Sequence, residues 1–233
     1  MARAGWDSVT LDLQHGLIDY TQAVPMLQAI GAAGALPMVR VPWNEPGIIM
    51  KILDAGALGI ICPMVNTRAE CERFVGACYY TPRGYRSYGP TRARATYGSD
   101  YESSVAPQVL TFAMVETAEA LANLESIVTV PGLSGVYVGP ADLGLSMGSP
   151  ERSDPTAPAV VAALDAIVAA CRRHNLVAGM HCASARYARS MIAKGFQFVT
   201  VASDSALLAG AAASAVRAVH NGAQQAEQST GMY

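Results

Sequence analysis

Residues able to hold a cation, an anion or a proton recur at one place in this chain, directly after short apolar runs. The first run ends in Asp12-Leu13-Gln14-His15-Gly16, the second carries Arg40, and the fourth ends in Glu116-Thr117. The fifth leads into Gly139-Pro140-Ala141-Asp142, the sixth into His181-Cys182 and the seventh into Ser203-Asp204. Two carboxylates on successive runs, Glu116 and Asp142, suit a hard divalent cation such as Mg²⁺ or Mn²⁺, which prefers oxygen ligands and keeps exchangeable positions. Arg40 offers a planar fork that matches a carboxylate. His15 can pass a proton near neutral pH, with Asp12 setting its orientation.

The lysines exclude one chemistry. Lys51 lies in a helical pattern and Lys194 beside a helix-ending glycine, so a Schiff-base mechanism lacks its amine at these positions. Each candidate also has an ordinary structural use. His15 can cap a loop, Asp142 and Asp204 can cap helix N-termini, and Glu116 can sit on a helix dipole. Arg40 can pair with Asp54 or Glu45, and His181 with Cys182 can be a buried pair. The residue types alone leave these alternatives open and name no reaction.

The elements that must position them alternate. Apolar, β-branched runs at 8–13, 36–41, 59–65, 109–115, 135–138, 176–181 and 196–202 have the near-continuous hydrophobicity of strands buried on both faces. Helical patterns at 20–32, 48–54, 68–77, 118–128, 159–174, 183–193 and 205–220 lie between them. Ala4-Gly5, Ala33-Gly34, Ala55-Gly56 and Lys194-Gly195 each precede a strand, as glycine does just past a helix end. The alternation predicts an α/β fold with a parallel sheet. A doubly wound sheet is the alternative, but no Gly-x-Gly-x-x-Gly follows a strand. The count of seven strands, with a helix ending at Gly5 and little before it, predicts a (β/α)₈ barrel lacking its first strand and most of its first helix. Such a barrel opens between the strands at 8–13 and 196–202. A single barrel domain is expected over residues 1–221, followed by a polar, flexible tail over 222–233.

The segment from Cys78 to Pro107 breaks the rhythm. It holds Tyr79, Tyr80, Tyr85, Tyr88, Tyr97 and Tyr101 together with Arg83, Arg86, Arg92 and Arg94. So long a connection is either a subunit contact or a basic lid over an anionic substrate.

Composition narrows the partners. The 233 residues carry a formal net charge of −2 and are 52% hydrophobic, enough for a large core. Without a clustered basic run, nucleic acid is excluded as a partner. The longest uncharged stretch, 20–39, is broken by Pro25, Gly31, Gly34 and Pro37, so no membrane span is expected. Five cysteines without CxxC spacing point to reduced thiols and a cytoplasmic protein.

The order of motifs resembles that of the HpcH/HpaI aldolase family, the metal-dependent class II pyruvate aldolases. The matching stretches are Gly5-Trp6-Asp7 through Asp12-Leu13-Gln14-His15-Gly16, Val39-Arg40-Val41-Pro42 and Lys51-Ile52-Leu53-Asp54-Ala55-Gly56. Pro63-Met64-Val65-Asn66-Thr67, Pro82-Arg83-Gly84-Tyr85-Arg86, Met114-Val115-Glu116-Thr117 and Val138-Gly139-Pro140-Ala141-Asp142-Leu143 follow in order. The resemblance implies a (β/α)₈ barrel assembling as a trimer or hexamer of identical chains, with the final helix exchanged between neighbours. It implies Mg²⁺, Mn²⁺ or Co²⁺ on Glu116 and Asp142, and Arg40 on the keto acid. It makes His15, with Asp12 beside it, the group that handles protons. Asp54 becomes an acid paired with a histidine across a subunit boundary, and the backbone N–H groups of Ala141 and Asp142 meet the substrate carboxylate. Gln14 stands where many relatives have Glu, and Met114 where many have Gln. These departures bear on the substrate, and a subgroup that also accepts hydroxypyruvate has a similar pattern.

The implied activity is reversible aldol cleavage of 4-hydroxy-2-oxo acids to pyruvate, or hydroxypyruvate, and an aldehyde through a metal-stabilised enolate. Two alternatives stand beside it: a citrate-lyase-like enzyme cleaving acyl-CoA thioesters, with Arg83, Arg86, Arg92 and Arg94 available for phosphates, and an inactive barrel kept for binding or assembly.

Overall fold

The computed structural model describes residues 1–151 and 153–230, with no side chains described for 221–230. Residues 231–233, the end of the expected polar tail, lie outside the described residues. The chain divides into two units, Met1–Thr200 and Val201–Tyr233.

The first unit is built on a parallel sheet whose strands follow chain order. They are β1 (Ser8–Asp12), β2 (Leu36–Arg40), β3 (Gly59–Cys62), β4 (Leu110–Met114), β5 (Gly135–Val138), β6 (Val177–Cys182) and β7 (Phe198–Val201). Helices α1 (Tyr20–Ala32), α2 (Pro46–Asp54) and α3 (Arg68–Cys78) connect the first strands. Short helices α4 (Thr91–Tyr97) and α5 (Tyr101–Ser104) precede β4, and α6 (Ala118–Ala122) and α7 (Leu124–Val128) precede β5. Next come α8 (Pro140–Ser146), α9 (Pro158–Arg173) and α10 (Ala185–Lys194). The sheet ends at β1 and β7, which are not neighbours in it among the described residues.

Local chemistry explains the elements. Asp19 caps α1 by accepting from Thr21 N at 2.8 Å while Gln22 closes the capping box, and Thr67 with Glu70 does the same for α3. Gly34 and Gly195 follow α1 and α10 at φ +84° and +119°, left-handed positions where a β-carbon is strained. Strands β3 and β5 are buried at every residue, so their two faces are both apolar.

Alternation sorts those faces. Val39, Ile60, Ala113, Val136 and Val138 are fully buried on one side. Met38, Ile61, Phe112, Met114 and Tyr137 cluster on the other, joined by Phe198. Phe112 on β4 and Phe198 on β7 have ring centroids 5.0 Å apart. Strands three apart in a flat sheet stand about 14 Å from each other, so the sheet curls until these inner side chains meet.

The Cys78–Pro107 connection is not a bare loop, because α4 and α5 fold within it. Its arginines are tied into the fold. Arg86 binds Asp54, Arg92 donates to the carbonyl of Ala55, and Arg94 holds Tyr88 and Ser99. Arg83 donates to Pro107 O and lies over the Tyr79 ring. Each guanidinium makes at least one contact that fixes the segment, and each keeps further N–H donors. The five cysteines are free and buried. No described helix is long and apolar enough to cross a membrane.

The second unit holds the end of β7 and a long helix, α11 (Asp204–Thr230). Its apolar side chains Leu207, Leu208, Val216 and Val219 are 41–73% exposed. This helix runs through residue 221, where the sequence pattern placed a domain end.

Candidate active site

The inner face of the sheet becomes polar at its carboxyl end. Strand register aligns Asp12 with Arg40 and Arg40 with Ile61, while Met114 pairs with Tyr137 and Tyr137 with Gly179. Counting every second residue along that face gives Thr10-Asp12-Gln14, Met38-Arg40, Phe112-Met114-Glu116, Tyr137-Gly139, Gly179-His181 and Phe198-Thr200. One periodicity thus delivers Asp12, Arg40, Glu116, His181 and Thr200 to one end of one face, where chemistry sits in parallel α/β folds.

Arg40 and Asp12 form a bidentate fork. Arg40 Nε donates to Asp12 Oδ1 at 2.9 Å, and Nη2 donates to Oδ2. Asp12 also accepts the backbone N–H groups of Gln14 at 3.0 Å and His15 at 3.3 Å. Burial raises the Asp12 carboxyl, but the Arg40 guanidinium and these two N–H groups outweigh it and hold it below its ordinary value. The pair is therefore charged, and Asp12 fixes both the guanidinium and the turn that carries His15. The His15 side chain is exposed. Asp12 holds its backbone and not its ring.

Glu116 is 2% exposed, one of few buried charged residues. Its Oε1 accepts the Met64 N–H at 2.7 Å. Met64 sits at φ +54°, a strained conformation for a side-chain-bearing residue that aims this N–H at the carboxylate. A β-carbon on Gly139 would overlap Glu116 Oε2 and stand 3.0 Å from Met114 Cε, so glycine there makes the room the carboxylate occupies. Burial is the main cause that lifts the Glu116 pKa to about 7; Asp142 adds to it, and Met64 N–H and Arg40 oppose it. Among the described residues no three His, Cys, Asp or Glu side chains are grouped to hold a metal ion. Glu116 and Asp142 offer two carboxylates whose hard oxygens suit a divalent ion that completes its shell with water or substrate.

Asp142 stands in the first turn of α8, exposed, three residues past the N-cap Gly139. It is not the N-cap that its type suggests. No side chain caps α8, so the early N–H groups, including those of Ala141 and Asp142, are open. The Gln14 side-chain oxygen is enclosed and has no partner among the described residues.

Asp54 lies apart from this group. It ends α2, and its Oδ1 accepts from Arg86 Nη2 at 2.6 Å. The Arg86 side chain is wholly buried, donates to Tyr101 Oη at 3.2 Å and lies 4.6 Å from the Tyr80 ring centre. In this chain the partner of Asp54 is Arg86. Asp204 opens α11 in the second unit.

Sequence reasoning gave His181 little weight, and the structure changes that. Its Nδ1 is 3.0 Å from Thr200 Oγ1, which is 2.5 Å from Tyr137 Oη. Burial and the Arg40 charge lower the imidazole pKa, with Asp154 and Asp12 opposing. The signal was present in the alternation of β5, β6 and β7, which turns Tyr137, His181 and Thr200 inward together.

Residues 1–211 match the family model described as HpcH/HpaI aldolase/citrate lyase. A protein of Rhizorhabdus wittichii named hydroxypyruvate/pyruvate aldolase is 46% identical over 212 residues, covering 91% of this chain and 84% of that protein. A 4-hydroxy-2-oxo-heptane-1,7-dioate aldolase of Klebsiella pneumoniae is 34% identical, covering 100% of this chain and 89% of its own length. Among solved structures, an aldolase/citrate lyase family protein from Burkholderia cenocepacia superposes with a TM-score of 0.87 at 30% identity, covering 94% of this chain and 88% of that one.

Proposed function

This chain belongs to the HpcH/HpaI aldolase/citrate lyase family, and from that premise we propose that it is a divalent-metal-dependent class II pyruvate aldolase. It cleaves 4-hydroxy-2-oxo acids reversibly to an aldehyde and pyruvate or hydroxypyruvate. The observation that carries the reading is the convergence of the Arg40–Asp12 fork and the buried Glu116 at the carboxyl end of one sheet face.

Glu116 and Asp142 would hold Mg²⁺, Mn²⁺ or Co²⁺. When bound, such an ion polarises the keto group and stabilises negative charge on its oxygen. Arg40 uses two of its five N–H groups on Asp12 and keeps the others for the keto acid. They stabilise the oxyanion that develops as the carbon–carbon bond breaks. The open N–H groups of Ala141 and Asp142 orient the substrate carboxylate, and the unpartnered Gln14 oxygen accepts from the substrate. In cleavage, His15 takes the proton from the C4 hydroxyl. The C3–C4 electron pair then becomes the enolate double bond, the aldehyde departs, and a proton returned to C3 gives the keto acid. Asp12 is a positioning residue for both Arg40 and the His15 turn. Asp54, whose ion-pair partner in this chain is Arg86, acts across a subunit boundary.

The seven sequential strands and their helices are read as seven of the eight βα units of a barrel, with the eighth place between β1 and β7. The exposed Leu207, Leu208, Val216 and Val219 support a homo-oligomer, trimer or hexamer, in which a neighbour covers α11. Free, buried thiols support a cytoplasmic protein.

The test is retro-aldol release of pyruvate or hydroxypyruvate by chelator-treated protein, before and after adding Mg²⁺, Mn²⁺ or Co²⁺. Activity restored by metal supports the reading. Cleavage of acyl-CoA thioesters instead, or no activity with any of the three ions, refutes it.

A further inference from the structure

The Tyr137, Thr200 and His181 chain runs from the apolar interior of the sheet to its polar end. Tyr137 is 4% exposed and its ring packs among Met38, Ile61, Phe112 and Met114, with the Phe198 ring centre 5.6 Å away. Among the described residues its hydroxyl has one hydrogen-bond partner, Thr200 Oγ1. Thr200 Oγ1 in turn meets His181 Nδ1. In a neutral chain these three groups carry one mobile proton each, and Thr200 Oγ1 can donate to either neighbour or accept from both.

If His181 carried its proton on Nδ1, donation would run from His181 to Thr200 to Tyr137. The Tyr137 O–H, on a buried side chain, would then have no hydrogen-bond acceptor among the described residues, which costs its desolvation. If Thr200 accepted from both neighbours, its own O–H would be left without a partner among the described residues; the reverse direction pairs both hydroxyl protons and leaves only the ring N–H for solvent or ligand. Tyr137 donates to Thr200, Thr200 donates to Nδ1, and the ring keeps its proton on Nε2. Burial and the nearby Arg40 charge disfavour the imidazolium, so the ring stays neutral at pH 7. Nε2 has no partner among the described residues, and the charges of Arg40 and Asp12 act on the ring. The outcome is a single N–H donor on the strand face that also carries Arg40 and Asp12.

A donor in an enclosed site discriminates. Facing the methyl of pyruvate, it has no acceptor once water leaves; facing a hydroxyl on the same carbon, it has one. We propose that His181, held with its proton on Nε2 by Thr200 and Tyr137, is a specificity-determining residue that donates to the C3 hydroxyl of the donor keto acid and makes the site prefer hydroxypyruvate to pyruvate. The proposal rests on the aldolase reading above. Thr200 and Tyr137 act through His181 and are positioning residues.

The experiment has two arms. In metal-free protein, ¹⁵N chemical shifts of the His181 ring report the tautomer; in metal-loaded protein, kcat/KM is measured with hydroxypyruvate and with pyruvate against one aldehyde. The wild-type ring is expected as the Nε2–H form. His181→Leu should lower kcat/KM for hydroxypyruvate by about 10–100-fold and leave pyruvate within about threefold of wild type. Tyr137→Phe and Thr200→Val should shift part of the ring to the Nδ1–H form and lower the same ratio by less. An Nδ1–H or imidazolium ring in the wild type at pH 7 overturns the proposal. So does a ratio that His181→Leu leaves unchanged, whether both donors fall together or neither moves. A wild-type protein that uses neither donor with any metal refutes the aldolase reading and this proposal with it. Turnover of both donors with an unmoved ratio refutes the proposal alone.

Discussion

Gly139→Ala perturbs the centre of the account with a single methyl group. Gly139 lies at φ −91°, ψ 96°, a conformation alanine adopts freely, so backbone strain does not enter. The added carbon overlaps Glu116 Oε2 and stands 3.3 Å from Glu116 Cβ and 3.0 Å from Met114 Cε. The carboxylate must retreat by about 1 Å to reach ordinary contact. That retreat stretches its hydrogen bond from Met64 N–H, now 2.7 Å, and leaves a half-buried donor short of its partner, a cost of about 1–3 kcal/mol. The reduced freedom of the unfolded chain returns roughly 0.4–1 kcal/mol. Net destabilisation should be about 1–2 kcal/mol, a fall in Tm of roughly 2–8 °C for a domain of this size. A 1 Å displacement of a ligand carboxylate should lower kcat/KM about 10²-fold, with weaker binding of Mn²⁺ by titration. Gly31→Ala is the control: nothing lies within 4 Å of its added carbon, and in α1 it should stabilise by roughly 0.5–1 kcal/mol and leave activity unchanged. Activity and Mn²⁺ affinity in Gly139→Ala within threefold of wild type would refute the placement of Glu116 at the metal.

Three further outcomes follow from the same geometry. With its pKa near 7 against an ordinary 4.5, Glu116 in metal-free protein keeps a proton that the unfolded chain gives up; its own contribution to stability is therefore full below about pH 4.5 and is lost, by about 3 kcal/mol, as pH rises through 7. Urea denaturation in chelator at pH 5 and pH 8 reads this, Glu116→Gln should flatten the slope, and Mn²⁺ affinity should weaken about tenfold per pH unit below 7. Arg40→Ala should cost about 10²–10³ in kcat, and Asp12→Asn should lower kcat less while loosening keto-acid binding; an Asp12→Asn enzyme with wild-type kinetics would show that the fork does not position Arg40. Arg86→Met should destabilise by about 3 kcal/mol, because it strands Asp54 and the Tyr101 hydroxyl; thermal denaturation should show a fall of roughly 6–12 °C.

Periodicity made most of the sheet legible. Continuous apolar runs located every strand within two or three residues of its place, with 135–138 matching β5 throughout. The helix 118–128 is two, α6 and α7, because the chain turns at Asn123, which donates to Asn66 O at 2.9 Å, a tertiary contact that propensity does not contain. The fork between Arg40 and Asp12 was also out of reach, since the local pattern offered Asp54 and Glu45 equally. Parallel register decides it by setting Asp12 directly opposite Arg40. The arginines of the Tyr-rich segment looked available for anions because sequence shows charge and not partners. His181 was discounted beside Cys182, although alternation turns those two side chains to opposite faces of β6.

The proposed catalysis turns on a cation held by Glu116 and Asp142 with a keto acid on Arg40. Anomalous diffraction from wild-type crystals soaked in Mn²⁺ and pyruvate tests this directly. The predicted result is one Mn²⁺ peak touching carboxylate oxygens of Glu116 and Asp142, with Arg40 within hydrogen-bond distance of pyruvate. A site that stays empty at saturating Mn²⁺, or a peak held by other residues, would contradict it.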